Sequence, residues 1–225
     1  MLKRFSLPLL VCMSGFAAPA LADDFQQWVQ VSAKVDVSDR VVLQNELVAR
    51  FSGNGDGLYE IENAIMAGYE LPGKVTVSAG YVHDPQYVAG EFTVMERRIR
   101  EQIAIDDFAT VGSARLSGRL RVEQRWRDGV AGTGWRARPY LKLSVPLGGK
   151  ADPTLNVSEE AFINLNNTSF QSKNGLDRLR TAVSLSLPLT SALKLEAGYL
   201  NQHRFVSGGP DTDDHALTVS AGFSF

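Results

Sequence analysis

Residues 113–127 read Ser-Ala-Arg-Leu-Ser-Gly-Arg-Leu-Arg-Val-Glu-Gln-Arg-Trp-Arg, and this stretch decides the fold class. Apolar side chains recur at alternate positions, and most positions between them are charged. Such a period of two predicts a β-strand with one apolar face and one charged face. The apolar face carries Leu116, Leu120, Val122 and Trp126. The charged face carries Arg115, Arg119, Arg121, Glu123, Arg125 and Arg127.

The same alternation continues through the chain after residue 22, in segments of roughly ten residues, the length that suits a membrane-crossing strand. Prolines such as Pro72 and Pro188 and glycine-rich turns such as Gly53–Gly57 separate the segments. The segments are Gln27–Val35, Val41–Phe51, Tyr59–Glu70, Lys74–His83, Glu96–Ile105, Ser113–Arg127, Gly134–Val145, Glu159–Gln171, Asp177–Leu187, Leu193–Phe205 and His215–Phe225. We therefore predict an all-β protein.

Composition narrows the class further. The chain has 225 residues, 44% of them hydrophobic, and 23 basic against 25 acidic residues, a net charge of −2. No basic excess exists that would favour binding to nucleic acid. After residue 22 no apolar run approaches the ~20 residues of a spanning helix, whereas alternating barrel strands average to this composition. A secreted β-sandwich or lipocalin-like barrel is the soluble alternative. Aromatic residues near the segment ends favour a transmembrane, antiparallel, up-and-down β-barrel.

The first 22 residues are predicted to be a secretory signal peptide, with a buried N-terminal helix as the alternative. Lys3 and Arg4 form the basic region, Leu7–Phe16 the apolar region, and Ala20-Leu21-Ala22 the cleavage site. Residues 23–225 would then form one barrel domain, exported through the periplasm to the outer membrane of a Gram-negative bacterium. The only cysteine, Cys12, would leave with the signal peptide.

The number of strands is a separate question, because eleven segments alternate. Single-chain bacterial barrels normally have an even number of strands. The first and eighth segments are the weakest, and a segment could also be divided. We predict ten strands, with twelve as the alternative.

Several stretches resemble one family in their order and spacing. They are Glu96–Gln102, Arg119–Trp126, Gly134–Tyr140, Asn164–Asn167 and Leu195–Gln202. Together they resemble the uncharacterised outer-membrane barrels of the domain of unknown function 2490. The resemblance covers essentially the whole of residues 23–225. It implies an outer-membrane barrel with no known biochemical activity.

The C-terminal strand also resembles the ending of Gram-negative outer-membrane barrels, because it is alternating and aromatic and finishes at Phe225. This resemblance implies recognition by the barrel-assembly machinery through Phe225. Outer-membrane lipid and lipopolysaccharide are the other expected partners, and no nucleic acid is expected.

The charged faces are predicted to point into the lumen of the barrel. Buried charges must be paired or solvated, so the candidate site is a charge network. Its predicted members are Arg115, Arg119, Arg121, Glu123, Arg125, Arg136, Arg138, Glu60, Glu62 and Glu196. Further inward charges are expected at Arg50, Arg98, Arg100, Lys142, Arg178, Arg180, Lys194, Glu46 and Glu70. An interstrand plug of ion pairs is one interpretation. A narrow, anion-preferring pore or pocket is the other, since inward arginines outnumber inward carboxylates.

The function predicted from these features is a non-enzymatic barrel, either structural or a narrow pore. The alternative is a lipid hydrolase at the outer rim, of the phospholipase or lipid A deacylase type. It would use His203 with Ser207, near Asp211, Asp213 and Asp214. Proximity in sequence does not establish the geometry that nucleophilic catalysis needs. Gly53–Gly57 loosely resembles a calcium loop but lacks the full ligand spacing, so neither a metal nor a cofactor is predicted.

Overall fold

A computed structural model describes residues 23–148, 153–171 and 173–225. This part of the chain folds into a closed barrel of eleven strands. The strands are β1 (Asp24–Asp36), β2 (Val41–Ser52), β3 (Gly57–Leu71), β4 (Val75–Val88), β5 (Glu91–Val111), β6 (Ala114–Arg127), β7 (Gly134–Pro146), β8 (Thr154–Asn164), β9 (Gly175–Pro188), β10 (Leu193–Arg204) and β11 (Thr212–Ser224). The predicted signal peptide lies outside the described residues.

The barrel closes through a parallel pair. Each strand is antiparallel to its neighbour in sequence, but β1 pairs with β11 in parallel, from Asp24 opposite Asp214 to Lys34 opposite Ser224. The predictions of ten and twelve strands are therefore wrong, since all eleven alternating segments form strands. An odd number of strands leaves the first and last pointing the same way, and the sheet then closes only by a parallel ladder.

The two ends of the barrel differ in their connections. We call the end where β1 begins the upper end; it holds the turns 53–56 and 89–90 and the longer loops 128–133, 165–174 and 205–211. The lower end holds Phe225 and the connections that follow β1, β3, β5, β7 and β9. At the lower end the Phe225 amide donates to the Lys34 carbonyl at 2.9 Å, which ties the C-terminus to β1.

Strands β8 and β5 depart furthest from the predicted boundaries. The eighth segment was predicted at Glu159–Gln171, but β8 spans Thr154–Asn164, and the asparagines after it belong to the loop. Strand β5 runs from Glu91 to Val111, well beyond the predicted Glu96–Ile105. Its ladder with β6 shifts register between Ile105 and Ala109, so a bulge extends the strand where the alternation alone indicates an end.

Alternation separates the two surfaces of the wall. Large apolar side chains point outward, and many remain widely exposed, such as Ile65 (59%), Leu120 (48%) and Val219 (55%). Charged and polar side chains point inward, together with a few buried apolar residues, of which Trp28, Leu200 and Ala216 form one small cluster. No helix in the described ranges is long and apolar enough to cross a membrane.

A glycine motif explains how tightly two strand pairs approach. Gly80 and Gly198 occupy the same place in the related stretches Ser-Ala-Gly-Tyr and Glu-Ala-Gly-Tyr. A Cβ atom at Gly80 would lie 2.1 Å from the Ile65 carbonyl oxygen, and one at Gly198 would lie 2.6 Å from the Ser184 Cβ. Only glycine allows these backbone approaches.

Candidate functional site

Three buried glutamates organise the lumen, and each is held by three arginines. Glu123 of β6 is 0% exposed. It accepts hydrogen bonds from Arg136 at 2.5 and 2.9 Å and from Arg138 at 2.9 Å, both on the neighbouring β7. On the other side, Arg100 of β5 lies 3.1 Å away. Alternation places all four side chains on the inward face, where the carboxylate has no access to water and depends on the three guanidinium groups.

Glu62 and Glu96 repeat this arrangement nearer the upper end. Glu62 lies 2.9 Å from a nitrogen of Arg98, 2.8 Å from Arg100 and 3.4 Å from Arg50. Because Arg100 also contacts Glu123, it links two of the three clusters.

Glu96, like Glu123, is 0% exposed. Its oxygens lie 2.6 Å from Arg98, 2.9 Å from Arg125 and 2.7 Å from Arg127. Arg98 therefore joins Glu96 to Glu62, and the three clusters form one continuous group.

Three further carboxylates extend the group sideways. Glu60 lies 2.7 Å from Arg50, and Asp84, which is 0% exposed, pairs with Arg98. Glu160 of β8 accepts from Arg138 at 2.9 Å and also pairs with Arg119. We call all six carboxylates and the arginines that hold them the ion-pair network. Its members come from seven consecutive strands, β2 to β8. They are Arg50, Glu60, Glu62, Asp84, Glu96, Arg98, Arg100, Arg119, Glu123, Arg125, Arg127, Arg136, Arg138 and Glu160.

Aromatic rings extend the network to two further strands, β1 and β9. The Arg180 guanidinium of β9 lies 4.6 Å from the ring centroid of Trp28 and 4.5 Å from that of Phe162. Arg50 packs against Trp28 at 4.6 Å, and Arg138 against Phe162 at 4.3 Å. These contacts bring β1 and β9 into contact with the ion-pair network through cation–π interactions, which strengthen when water is excluded.

Two inward arginines differ from the rest, because neither has a carboxylate partner among the described residues. Arg180 donates its Nε–H to the Gln202 side-chain oxygen at 2.7 Å. Arg121 donates to the Gln102 side-chain oxygen at 3.0 and 2.8 Å. The lumen therefore carries positive charge that its own carboxylates leave unbalanced.

The network divides the lumen into an upper and a lower part. Above it lies a cavity of about 290 Å³ that opens at the upper end, and we call this the arginine cup. Nine arginines line the cup, together with the carboxylates Glu60 and Glu62. The nine are Arg50, Arg98, Arg125, Arg127, Arg136, Arg138, Arg178, Arg180 and Arg204.

Below the network the walls carry a mixture of small polar, apolar and charged residues. A cavity of about 300 Å³ lies directly beneath it, and one of about 420 Å³ reaches the lower end. Arg50, Glu62, Arg138 and Arg180 line both the arginine cup and the cavity beneath it. These four side chains form the partition between the two halves of the lumen.

Comparison with known proteins finds a family model and a relative that match this chain. A family model described as protein of unknown function, DUF2490, matches residues 25–213. The chain belongs to this family. An uncharacterized protein of Methylorubrum extorquens is similar to it, at 27% identity over 219 residues and 93% of each chain. No solved structure matches the chain.

In this DUF2490 member most of the predicted charge set converges in the lumen. The converging residues are Glu60, Glu62, Arg119, Arg121, Glu123, Arg125, Arg136 and Arg138. Arg115 does not join them: its side chain is 46% exposed, and its nearest carboxylate is Asp107 at 3.9 Å. Glu196 is also separate from the arginines, because it accepts from Ser184 at 2.8 Å.

The prediction missed several residues that the network uses. Glu96 and Glu160 lie on inward positions of their segments, so the alternation itself could have identified them. Trp28 and Phe162 were missed because aromatic residues were expected on the outward face. Asp84 follows the end of its predicted segment, which stopped at His83, whereas β4 continues to Val88.

Three network carboxylates also lie close enough together to suggest a metal site. Single oxygens of Glu60, Glu62 and Asp84 all lie within 4.8 Å of one another. Arg50 and Arg98 already bind these oxygens, and their positive charge is what lets the carboxylates approach. The donor set therefore belongs to the ion-pair network.

The predicted rim residues lie on the outer surface of this DUF2490 barrel. His203 points outward from β10, with Nδ1 at 3.1 Å from Asp213 and Nε2 at 3.4 Å from Asp211. Ser207 lies in the exposed loop after β10. No serine hydroxyl forms a hydrogen bond with a histidine nitrogen in the part of the chain that the structure describes. Both ring nitrogens of His203 face carboxylates, so the geometry gives no support to a hydrolase.

Proposed function

We propose that this protein is a non-enzymatic outer-membrane β-barrel whose lumen is closed at mid-height by ion pairs. The observation that carries the proposal is the arrangement of Glu62, Glu96 and Glu123, each buried and held by three arginines. Buried ion pairs with well-satisfied geometry stabilise one arrangement of the groups and exclude water from it. The protein would therefore serve as a structural or interaction barrel, and its lumen would not conduct ions freely.

The outward face supports a membrane setting. Leucine, isoleucine and valine side chains remain exposed on every side of the closed wall, for example Leu47 (40%), Leu141 (47%) and Leu217 (51%). Soluble monomers rarely expose contiguous apolar patches larger than roughly 600 Å². The inward face is charged instead, so a bilayer is the surrounding that suits this inversion of apolar and polar faces.

The C-terminus supports the proposed assembly route. Phe225 is 70% exposed at the lower end, and its ring stacks on that of Phe223 at 6.4 Å between centroids. An exposed aromatic terminus is accessible to the barrel-assembly machinery before and after β11 closes onto β1.

Planar-bilayer recording tests the closed lumen. The refolded chain should insert, as shown by protection from added protease, without producing discrete conductance steps. A stable unitary conductance would overturn the closure and favour the narrow pore. In that case Arg121→Glu should shift the selectivity of the pore towards cations.

Cell fractionation tests the proposed location. The chain should appear in the outer-membrane fraction, require detergent for extraction and migrate differently on gels with and without heating. Recovery as a detergent-free soluble monomer would contradict the membrane proposal and favour a secreted barrel.

A further inference from the structure

We infer that the arginine cup is a binding site for a small, multiply charged phosphate compound. This goes beyond the proposed function, because a closed lumen requires no ligand. The inference rests on which groups face the cavity, on charges that the ion-pair network leaves unbalanced, and on the size and opening of the cup.

The first step concerns which charges face the cup. Glu96 and Glu123 are 0% exposed and do not line the cavity. The arginines that hold them, except Arg100, do line it, among them Arg125 and Arg136. The carboxylates therefore lie behind the guanidinium groups and fix their orientation. This order presents positive charge to the cavity in a rigid arrangement, which lowers the cost of binding an anion.

The second step concerns Arg178 and Arg180 on β9. Arg180 has Gln202 and two aromatic rings as its neighbours, and no carboxylate of the described residues lies within ion-pair distance. Arg178 pairs with the adjacent Asp177 at 2.8 Å and also donates to the Gln202 side-chain oxygen at 3.4 Å. A cation in a partly desolvated cavity needs a counter-charge. For Arg180 a bound anion would supply that charge, and the neighbouring Arg178 on the same wall would also contact it.

The third step selects the ligand class. A guanidinium group presents its donors in a planar fork that binds two phosphate oxygens together. The volume of about 290 Å³ lies at the lower limit of small-molecule pockets, so it suits a pyrophosphate group or a compact sugar phosphate. A single carboxylate would bring one negative charge to a cup lined by nine arginines, whereas a pyrophosphate group brings several. Phosphate chemistry therefore fits best, whether it comes from a free solute or from a lipid headgroup.

Titration calorimetry on the folded full barrel in non-ionic detergent tests the site, with pyrophosphate as the probe. Wild type should bind one equivalent, and the affinity should fall as salt is raised. Arg180→Gln and Arg178→Gln should each weaken binding at least about tenfold, roughly the loss expected for one charge-assisted contact. Neither change leaves a network carboxylate without its arginines, so both variants should fold.

Arg121→Gln is the matched control. Arg121 is also an inward arginine whose partner among the described residues is a glutamine, but it lies below the partition and does not line the cup. The Arg121→Gln variant should bind pyrophosphate within about twofold of wild type, because the Arg121 side chain would make no direct contact with an anion in the cup. If wild type bound neither pyrophosphate nor the lipid probe described next, or if Arg180→Gln bound the probe as tightly as wild type, the inference would be overturned.

A second titration identifies the source of the phosphate. Short-chain phosphatidic acid below its micelle concentration replaces pyrophosphate, with the same three variants. Binding of either probe that is lost in Arg180→Gln supports the site, and the tighter of the two shows whether the natural ligand is a solute or a headgroup. These measurements do not depend on conductance, so an open pore would overturn the closed lumen while leaving this site intact.

Discussion

At the scale of single residues, Glu123 accepts hydrogen bonds from arginines on both neighbouring strands and is 0% exposed. Removing it would leave Arg100, Arg136 and Arg138 without their shared counter-charge. Losing one partner of a buried pair typically costs ~3–5 kcal/mol, whereas a solvated pair contributes roughly 1 kcal/mol or less. The size of the loss therefore reports whether the lumen is closed.

We expect Glu123→Ala to lower the free energy of unfolding by about 3–5 kcal/mol. The measurement is a urea titration in detergent or lipid, followed by the gel shift between folded and unfolded forms.

Glu196→Ala is the control for this prediction. Glu196 also faces the lumen, but within the described part of the chain it accepts from the Ser184 hydroxyl and forms no ion pair with an arginine. Its removal should cost about 1 kcal/mol or less. If both variants were as resistant to urea as wild type, the ion pairs would be solvated and the closed lumen would be wrong.

At the scale of strands and strand pairs, the parallel β1–β11 closure distinguishes this barrel from an even-numbered one. Gln30 and Ser220 are paired across the seam. Paired Cα atoms of adjacent strands lie close enough for a disulfide, which needs roughly 4.4–6.8 Å. In a Cys12→Ser background, Gln30→Cys with Ser220→Cys should therefore oxidise spontaneously, as seen by a change in gel migration that a reductant reverses.

The control pairs Gln30→Cys with Glu196→Cys. Glu196 lies opposite Ser220 on β10, so it is two strands from Gln30, at roughly twice the strand spacing of about 4.8 Å. That separation is too long for a disulfide, and this variant should stay reduced. Cross-linking of the control pair, or none in the seam pair, would contradict the eleven-strand closure.

The glycine motif makes a second prediction about strand pairs. Gly80→Ala should destabilise the barrel by about 1–3 kcal/mol, because the new Cβ would overlap the backbone of β3. Gly222 occupies the same motif position in β11, but its nearest neighbouring atom would lie 3.4 Å from a Cβ. Gly222→Ala should therefore be neutral within about 0.5 kcal/mol. Urea midpoints of the two variants compare them directly, and equal midpoints would show that β3 and β4 are not held this closely.

At the scale of the whole molecule, the apolar outer wall separates a membrane barrel from a secreted one. Val219 points outward from the middle of β11 and is 55% exposed. In a bilayer, Val219→Arg should cost about 2–4 kcal/mol. In water, a substitution at so exposed a position should change stability by no more than about 0.5 kcal/mol. Denaturant titration of folding into lipid vesicles measures the difference.

Val111→Arg tests the depth dependence of this effect. Val111 is 73% exposed at the lower end of β5. Near the membrane surface the same change should cost only about 0–1 kcal/mol. Equal and small effects at Val111 and Val219 would indicate that water surrounds the wall.

The sequence determined the fold class of this protein and the side of the wall on which most residues lie. Alternation over residues 113–127 is local information, because each side chain points opposite to its neighbours once the backbone is extended. The inward positions of Arg121 and Glu123 follow from that geometry alone. The same reasoning applied without exceptions would also have placed Trp28 and Phe162 inside.

Only the tertiary structure decided the strand count and the pairing of charges. The expectation of an even number of strands depends on how the first and last strands meet. No local pattern in the sequence shows that β1 and β11 run parallel. Strand register and distances across the lumen decide which arginines contact Glu123. They also decide that Arg180 meets no carboxylate among the described residues. These are set by closure of the whole sheet, since a shift of one strand against its neighbour changes every contact across the barrel.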